Sequence, residues 1–230
     1  MIGGREGKQD VGDRLFTRDE LALDPIELAE LLLGAVIEST GPDGTVAVRL
    51  VEVEAYRGFD DPASHCYRGR TPRNSVMWGP AGYLYVYFVY GMHFCANVVG
   101  TQEGQPGAVL MRAGEVVSGL DVVKARRPRA RGTGELAKGP AILTSVLAID
   151  REENSLDLTD PASPVRLYTG ERVPAEHIRT GPRVGVAMAM ETPWRFWDDR
   201  SPAVSTYRRG GRRRPAKNSV DLVRKNPGRE

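Results

Sequence analysis

The twelve residues Thr45–Tyr56, TVAVRLVEVEAY, limit the fold of this chain more than any other stretch. Val46, Val48 and Leu50 recur at every second position, the period of a β-strand with one face turned to a core. The same parity continues as Glu52, Glu54 and Tyr56, while Val51, Val53 and Ala55 fill the odd positions. An unbroken strand sets both carboxylates on the face that the valines bury. A bulge after Leu50 rotates them outward instead. The sequence leaves the two readings open, and in the first the carboxylates sit where apolar groups belong.

The segments around this strand give an α+β pattern. Leu23–Glu27 carries an aspartate cap at Asp24, proline at the first helical position and glutamate three residues after the cap. That helix continues through Leu28, Leu31 and Leu32 to a breaker at Gly34. Gly41-Pro42-Asp43-Gly44 reads as a turn between two strands, and Asp60–Pro80, which has no sustained period, as a long loop with structure of its own. Tyr83–Val89 and Phe94–Val99 predict a β-hairpin with an aromatic, Tyr90, near its tip. Further strands are expected at Gly107–Arg112, Val165–Tyr168 and Arg183–Met188, and helices at Val116–Arg127 and Pro140–Ile149. A length of 230 residues with 40% apolar content suits one domain. We place an N-terminal segment at 1–20, the domain at 21–207 and a basic, flexible tail at 208–230.

Several function classes lose their footing at once. The longest run without a charged or polar break is Tyr83–Tyr90, whereas a membrane helix takes roughly 18 or more apolar residues. The opening MIGGREGKQDVGDRLF lacks the apolar stretch of a secretion signal, so a cytoplasmic protein is expected. Cys66 and Cys95 have neither C-x-x-C spacing nor paired histidines, which removes the usual zinc and redox motifs. Gly132-Thr133-Gly134-Glu135-Leu136-Ala137 fits a loose dinucleotide pattern but follows a basic run and no strand. Glu52, Glu54, Asp60, Asp61 and His65 suit a divalent ion by type, yet they straddle a strand and a loop with no second histidine close by. Net charge is only +2, but five cations crowd Lys124–Arg131 and nine, against two acids, crowd Tyr207–Glu230. Such clusters attract polyanions.

What remains is a set within Glu54–Asn97: a carboxylate, several tyrosines, one histidine and an aromatic at a hairpin tip. Singly each has an ordinary structural role. Together with the basic clusters they supply what work on a nucleobase needs: phosphate binders, stacking faces, a wedge and an acid–base group.

The order of these motifs resembles the alkyladenine (3-methyladenine) DNA glycosylase family. The resemblance runs through Val51-Glu52-Val53-Glu54-Ala55-Tyr56, Asp61-Pro62-Ala63-Ser64-His65, Thr71-Pro72-Arg73-Asn74, and Gly82–Tyr87 to Asn97. It continues through Val109–Ala113, Gly139-Pro140, Arg183-Val184-Gly185-Val186 and Ser201–Ser205, spanning about Leu28 to Ser205. It implies a single mixed domain around a curved antiparallel sheet with surrounding helices, from which a hairpin enters the DNA minor groove. Glu54 is then the general base that activates water, with Arg112 and the backbone carbonyl of Val184 helping to hold that water. Tyr56 on one side, and His65 with Tyr87 on the other, sandwich the extruded base. Asn97 screens out the 2-amino group of guanine, and Tyr90 with Met92 fills the gap in the duplex. Ile142 and His93 depart from the family pattern, where lysine and tyrosine respectively are frequent.

The implied reaction is hydrolysis of the N-glycosidic bond of alkylated purines, with hypoxanthine left open. No lysine stands at the matched catalytic position, so simple hydrolysis is expected. The implied partner is double-stranded DNA containing damaged purines, met by a monomer in the bacterial cytoplasm near the nucleoid, without cofactor, metal or membrane. Two other classes are weighed against it: a noncatalytic nucleic-acid-binding module, and a metal-dependent hydrolase whose activity a chelator abolishes.

Overall fold

A computed structural model describes residues 12–89 and 91–211, so Tyr90 and the tail beyond residue 211 lie outside the described residues. The strand read from TVAVRLVEVEAY is the spine of the fold. It is β2 (Gly44–Tyr56), joined to β1 (Val36–Gly41) through Pro42-Asp43. After it come β3 (Leu84–Val89), β4 (His93–Val99), β5 (Ala108–Ser118), β6 (Ala137–Lys138), β7 (Val165–Tyr168), β8 (Ile178–Gly181) and β9 (Arg195–Asp198). They form one open sheet of order β3-β4-β5-β2-β1-β7 in which every pairing is antiparallel. β1 pairs with β2 only as far as Arg49; β9 takes over that edge at Glu52–Glu54 and carries β8 on its far side.

Four helices complete the described fold: α1 (Arg18–Leu21), α2 (Pro25–Leu32), α3 (Leu120–Arg126) and α4 (Pro140–Leu147). α2 begins as its sequence requires, with the Asp24 carboxylate accepting from the Ile26 N–H at 2.9 Å. Leu28, Ala29 and Leu32 of α2 and Leu143, Val146 and Leu147 of α4 join one apolar cluster with alternate residues of the sheet. On β3 these are Leu84 and Val86, on β4 Ala96 and Val98, on β5 Val109 and Met111. Their neighbours Tyr85, Tyr87, Cys95, Asn97, Leu110 and Arg112 point to the opposite face, because successive side chains of a strand alternate.

The parity question in β2 is settled by a bulge. Its register against β5 slips on both sides of Glu52. Ahead of the slip Val46, Val48 and Leu50 join the main core; behind it Val53 and Ala55 do. Glu52 and Glu54 thereby turn away from that core, as the second reading requires, yet both remain fully buried beneath structure covering the other face.

Two expected elements differ. Val116–Ser118 extend β5 instead of opening a helix, because Gly119 adopts φ +77°, and a Cβ there would lie 2.3 Å from the Thr45 carbonyl oxygen. Only then does α3 start. Arg183–Met188 is irregular, not a strand. Gly185 has φ +73°, and the Val184 N–H is committed to a side chain and not to a sheet ladder. The segment Asp60–Pro80 has the expected local order: the 3-10 turn Gly58–Asp60 runs into its start and the turn Ser75–Trp78 lies within it.

Candidate active site

The sheet face away from the helices walls a cavity of about 670 Å3, lined by Tyr56, His65, Tyr87, Asn97, Arg112 and Val184 among others. Seven residues singled out from the sequence thus meet in one place, since Glu54 lies directly behind three of these lining groups. Glu54 is fully buried and contributes no surface to the cavity. Its Oε2 accepts from the Tyr56 hydroxyl at 2.9 Å, and its Oε1 accepts from the Val184 N–H at 2.7 Å. Arg112 Nη1 stands 3.3 Å from the same Oε1. All three neighbours are donors, the surroundings that a carboxylate anion needs in a dry place. Val184 meets Glu54 through its amide nitrogen, a contact separate from the water-holding task that the resemblance gives its carbonyl.

The walls are aromatic because β3 alternates tyrosine with smaller residues. Tyr85 and Tyr87 stack at 5.5 Å with 28° between their planes. His65 meets Tyr87 edge-on at 4.6 Å and hydrogen-bonds Tyr85 Oη through Nδ1 at 3.0 Å. Asn97 donates from Nδ2 to the Tyr85 carbonyl directly across the β3–β4 pair, at 3.0 Å. Behind Tyr56 the Arg183 guanidinium sits 4.7 Å from the ring centre, fully buried and paired with Asp61, whose Oδ1 lies 2.7 Å from Arg183 Nη2.

These surroundings set proton affinities. Burial pushes the Tyr56 hydroxyl well above its usual range, reinforced by Glu54, and burial likewise raises Tyr87. Burial lifts Tyr85 to about 12 and the Cys95 thiol to about 11. Burial acts to lower Arg112, but Glu54 and Glu52 outweigh it and hold the guanidinium above its ordinary value. His65 is pushed down to about 4 by burial and by the Arg73 cation. By surface area the residue is exposed, but its ring lines the cavity, where the walls and the Arg73 cation both act downward.

The β3–β4 hairpin closes through Gly91 at φ +73°. Beside the turn Met92 is 70% exposed and Phe88 43% exposed, an unusual display of apolar surface. Ile142 is partly buried against the main core, and His93 is exposed.

The buried charges beyond Glu54 and Arg112 have no role in the sequence reading. Glu52 and Asp61 were weighed only as metal ligands, and the structure ties each to arginine: Glu52 to Arg112 and Arg195, Asp61 to Arg183. Their partners lie 60 to 143 positions away, beyond any local period. The one available signal was the presence of acids and arginines at unusual places in strand-like runs.

Comparison with known proteins gives the same direction. The family description "Methylpurine-DNA glycosylase (MPG)" matches residues 19–202. A Nocardia farcinica protein named "Putative 3-methyladenine DNA glycosylase" is 55% identical over 84% of this chain and 92% of its own length. Proteins of the same name from Streptomyces avermitilis and Rhodococcus jostii are 48% and 51% identical, over 84% and 82% of this chain and 92% and 84% of theirs. With its cavity, its buried glutamate and a match over most of its length, the chain belongs to the methylpurine-DNA glycosylase family, DNA-repair hydrolases that act on the N-glycosidic bond.

Proposed function

We propose that this protein removes alkylated purines of the 3-methyladenine type from duplex DNA and leaves an abasic site, with Glu54 as the general base. A base within a duplex hides its glycosidic bond, so the nucleotide must swing out, at a cost of a few kcal/mol that is smaller for damaged pairs. The hairpin tip, Tyr90 with Met92, fills the gap and replaces lost stacking. The extruded base lies between Tyr56 on one side and His65 with Tyr87 on the other. Stacking on such faces contributes roughly 1 to 3 kcal/mol per base. Asn97, held by the Tyr85 carbonyl, screens the purine edge against a 2-amino group.

As the base departs, positive charge develops on the sugar and water arrives from the opposite face. Glu54 takes a proton from that water once the Tyr56 hydroxyl, which covers its Oε2, turns aside and opens that oxygen to the cavity, while Arg112 and the backbone at Val184 fix the carboxylate and help to place the water. A purine alkylated on a ring nitrogen leaves as a neutral base and needs no acid. Hypoxanthine is neutral before cleavage and needs a proton, so it is released more slowly. The protein acts as a monomer and forms no covalent intermediate.

The convergence of three donors on one buried carboxylate behind an aromatic cavity carries this reading. Its test is incubation of the protein with methylated duplex DNA plus chelator, followed by chromatography for free methylpurine. Glu54→Gln keeps damaged-DNA affinity and loses release by about 10²- to 10⁴-fold, the range for a general base. Full turnover by that variant overturns the assignment, and wild-type binding without release selects the noncatalytic module.

A further inference from the structure

We propose that Glu52 is a positioning residue, locked by Arg195 and Ser205, whose work is to aim the Arg112 guanidinium at Glu54. The inference rests on the function proposed above. Glu52 and Glu54 are two apart on one face of β2, and Arg112 on β5 is shared between them. Its Nε donates to Glu52 Oε1 at 2.9 Å, its Nη2 to Ser205 Oγ at 3.2 Å, and its Nη1 faces Glu54. A guanidinium is a rigid plane, so fixing Nε and Nη2 fixes where Nη1 points.

Glu52 is itself over-determined. Oε1 also accepts from Arg195 Nε at 2.7 Å and Ser205 Oγ at 2.8 Å, and Oε2 accepts from the Ser205 N–H at 2.6 Å. Arg195 Nη2 in turn donates to the Ser205 carbonyl at 2.8 Å, and its guanidinium lies 4.7 Å from the Trp197 ring centre. Two carboxylates and two guanidiniums balance in charge, and each of the four is at most 5% exposed. None of the Glu52, Arg195 or Ser205 side chains lines the cavity. Ser205 stands just past the stretch that the family description matches, so the lock closes only when the chain returns after β9.

The test is single-turnover release of methylpurine by the full chain, with affinity for damaged duplex measured alongside. Ser205→Ala leaves every charge in place and tests the lock even where Glu52→Gln fails to fold. Each variant slows release while affinity stays at the wild-type value. The expected loss for Glu52→Gln is about 10- to 100-fold, the scale for a partner that orients a reacting group. In an Arg112→Lys background, which keeps the cation but has no plane to aim, either change adds nothing further, because residues acting as a unit are non-additive. Losses that multiply in that background, or release by Ser205→Ala at the wild-type rate, overturn the inference. Those outcomes, with Glu54→Gln still inactive, leave the proposed function standing; full activity of Glu54→Gln removes both.

Discussion

On the helix side of β2, Leu50, Val53 and Ala55 are sealed in an apolar cluster; on its other side Glu52 and Glu54 are sealed just as completely, but among arginines. Both faces are dry, and dryness has opposite meanings for them. Apolar groups gain from losing water, and a deletion there costs in proportion to the volume removed. Charges lose hydration and are tolerable only as complete sets, so removing one member strands another. The apolar face therefore loses stability in proportion to what is removed, whereas the polar face holds as a set or not at all, and the set fixes orientation.

The hardest strain on that contrast comes from Asp61→Ala. It leaves Arg183 fully buried without its carboxylate, and unfolding free energy should fall by about 3 to 5 kcal/mol in urea titrations. If the stability change is under about 1 kcal/mol, the polar layer is not closed in the way described. Next in size is Leu50→Ala on the opposite face, with an expected cost of about 2 to 5 kcal/mol. Its release rate per folded molecule should match wild type, and a rate loss as large as that of Glu54→Gln breaks the division of labour.

The smallest effect concerns acid. The folded protein holds His65 at about 4 against an ordinary 6.5, so between those values the unfolded chain takes up a proton that the folded chain refuses. Stability from this group is thus complete above pH 6.5 and declines as pH falls through that window. A nuclear magnetic resonance titration of the imidazole protons should show its midpoint near 4, and Arg73→Ala should move it upward. A midpoint left at 6.5 shows that neither the walls nor the cation reach the ring.

Much of the apolar face was legible in advance. The hairpin, α2 and α4 follow from periods of two and 3.6 that involve only neighbouring residues. Val116 and Val117 were misread because a β-branched pair before an amphipathic run suits either element, and the left-handed turn at Gly119 decided it. The set of carboxylate, tyrosines and histidine within Glu54–Asn97 is visible in the residues, but the roles of Glu54, Tyr56, His65, Tyr87, Asn97, Arg112 and Val184 come from the family resemblance, since their types alone allow bland ones. The lock on Glu52 was out of reach, since Ser205 joins it from 153 positions away, and the amide of Val184 has no signature in a side chain.

The slip in register at Glu52 makes spacing, and not only composition, part of the machinery. A substitution along β2 disturbs the contacts of one side chain, whereas inserting or deleting a single residue between Leu50 and Val53 exchanges the two sides wholesale, delivering carboxylates to the leucines and valines to the cavity. A single-residue change of length there is thus felt by both faces of the strand at once, a cost that no one change of letter carries.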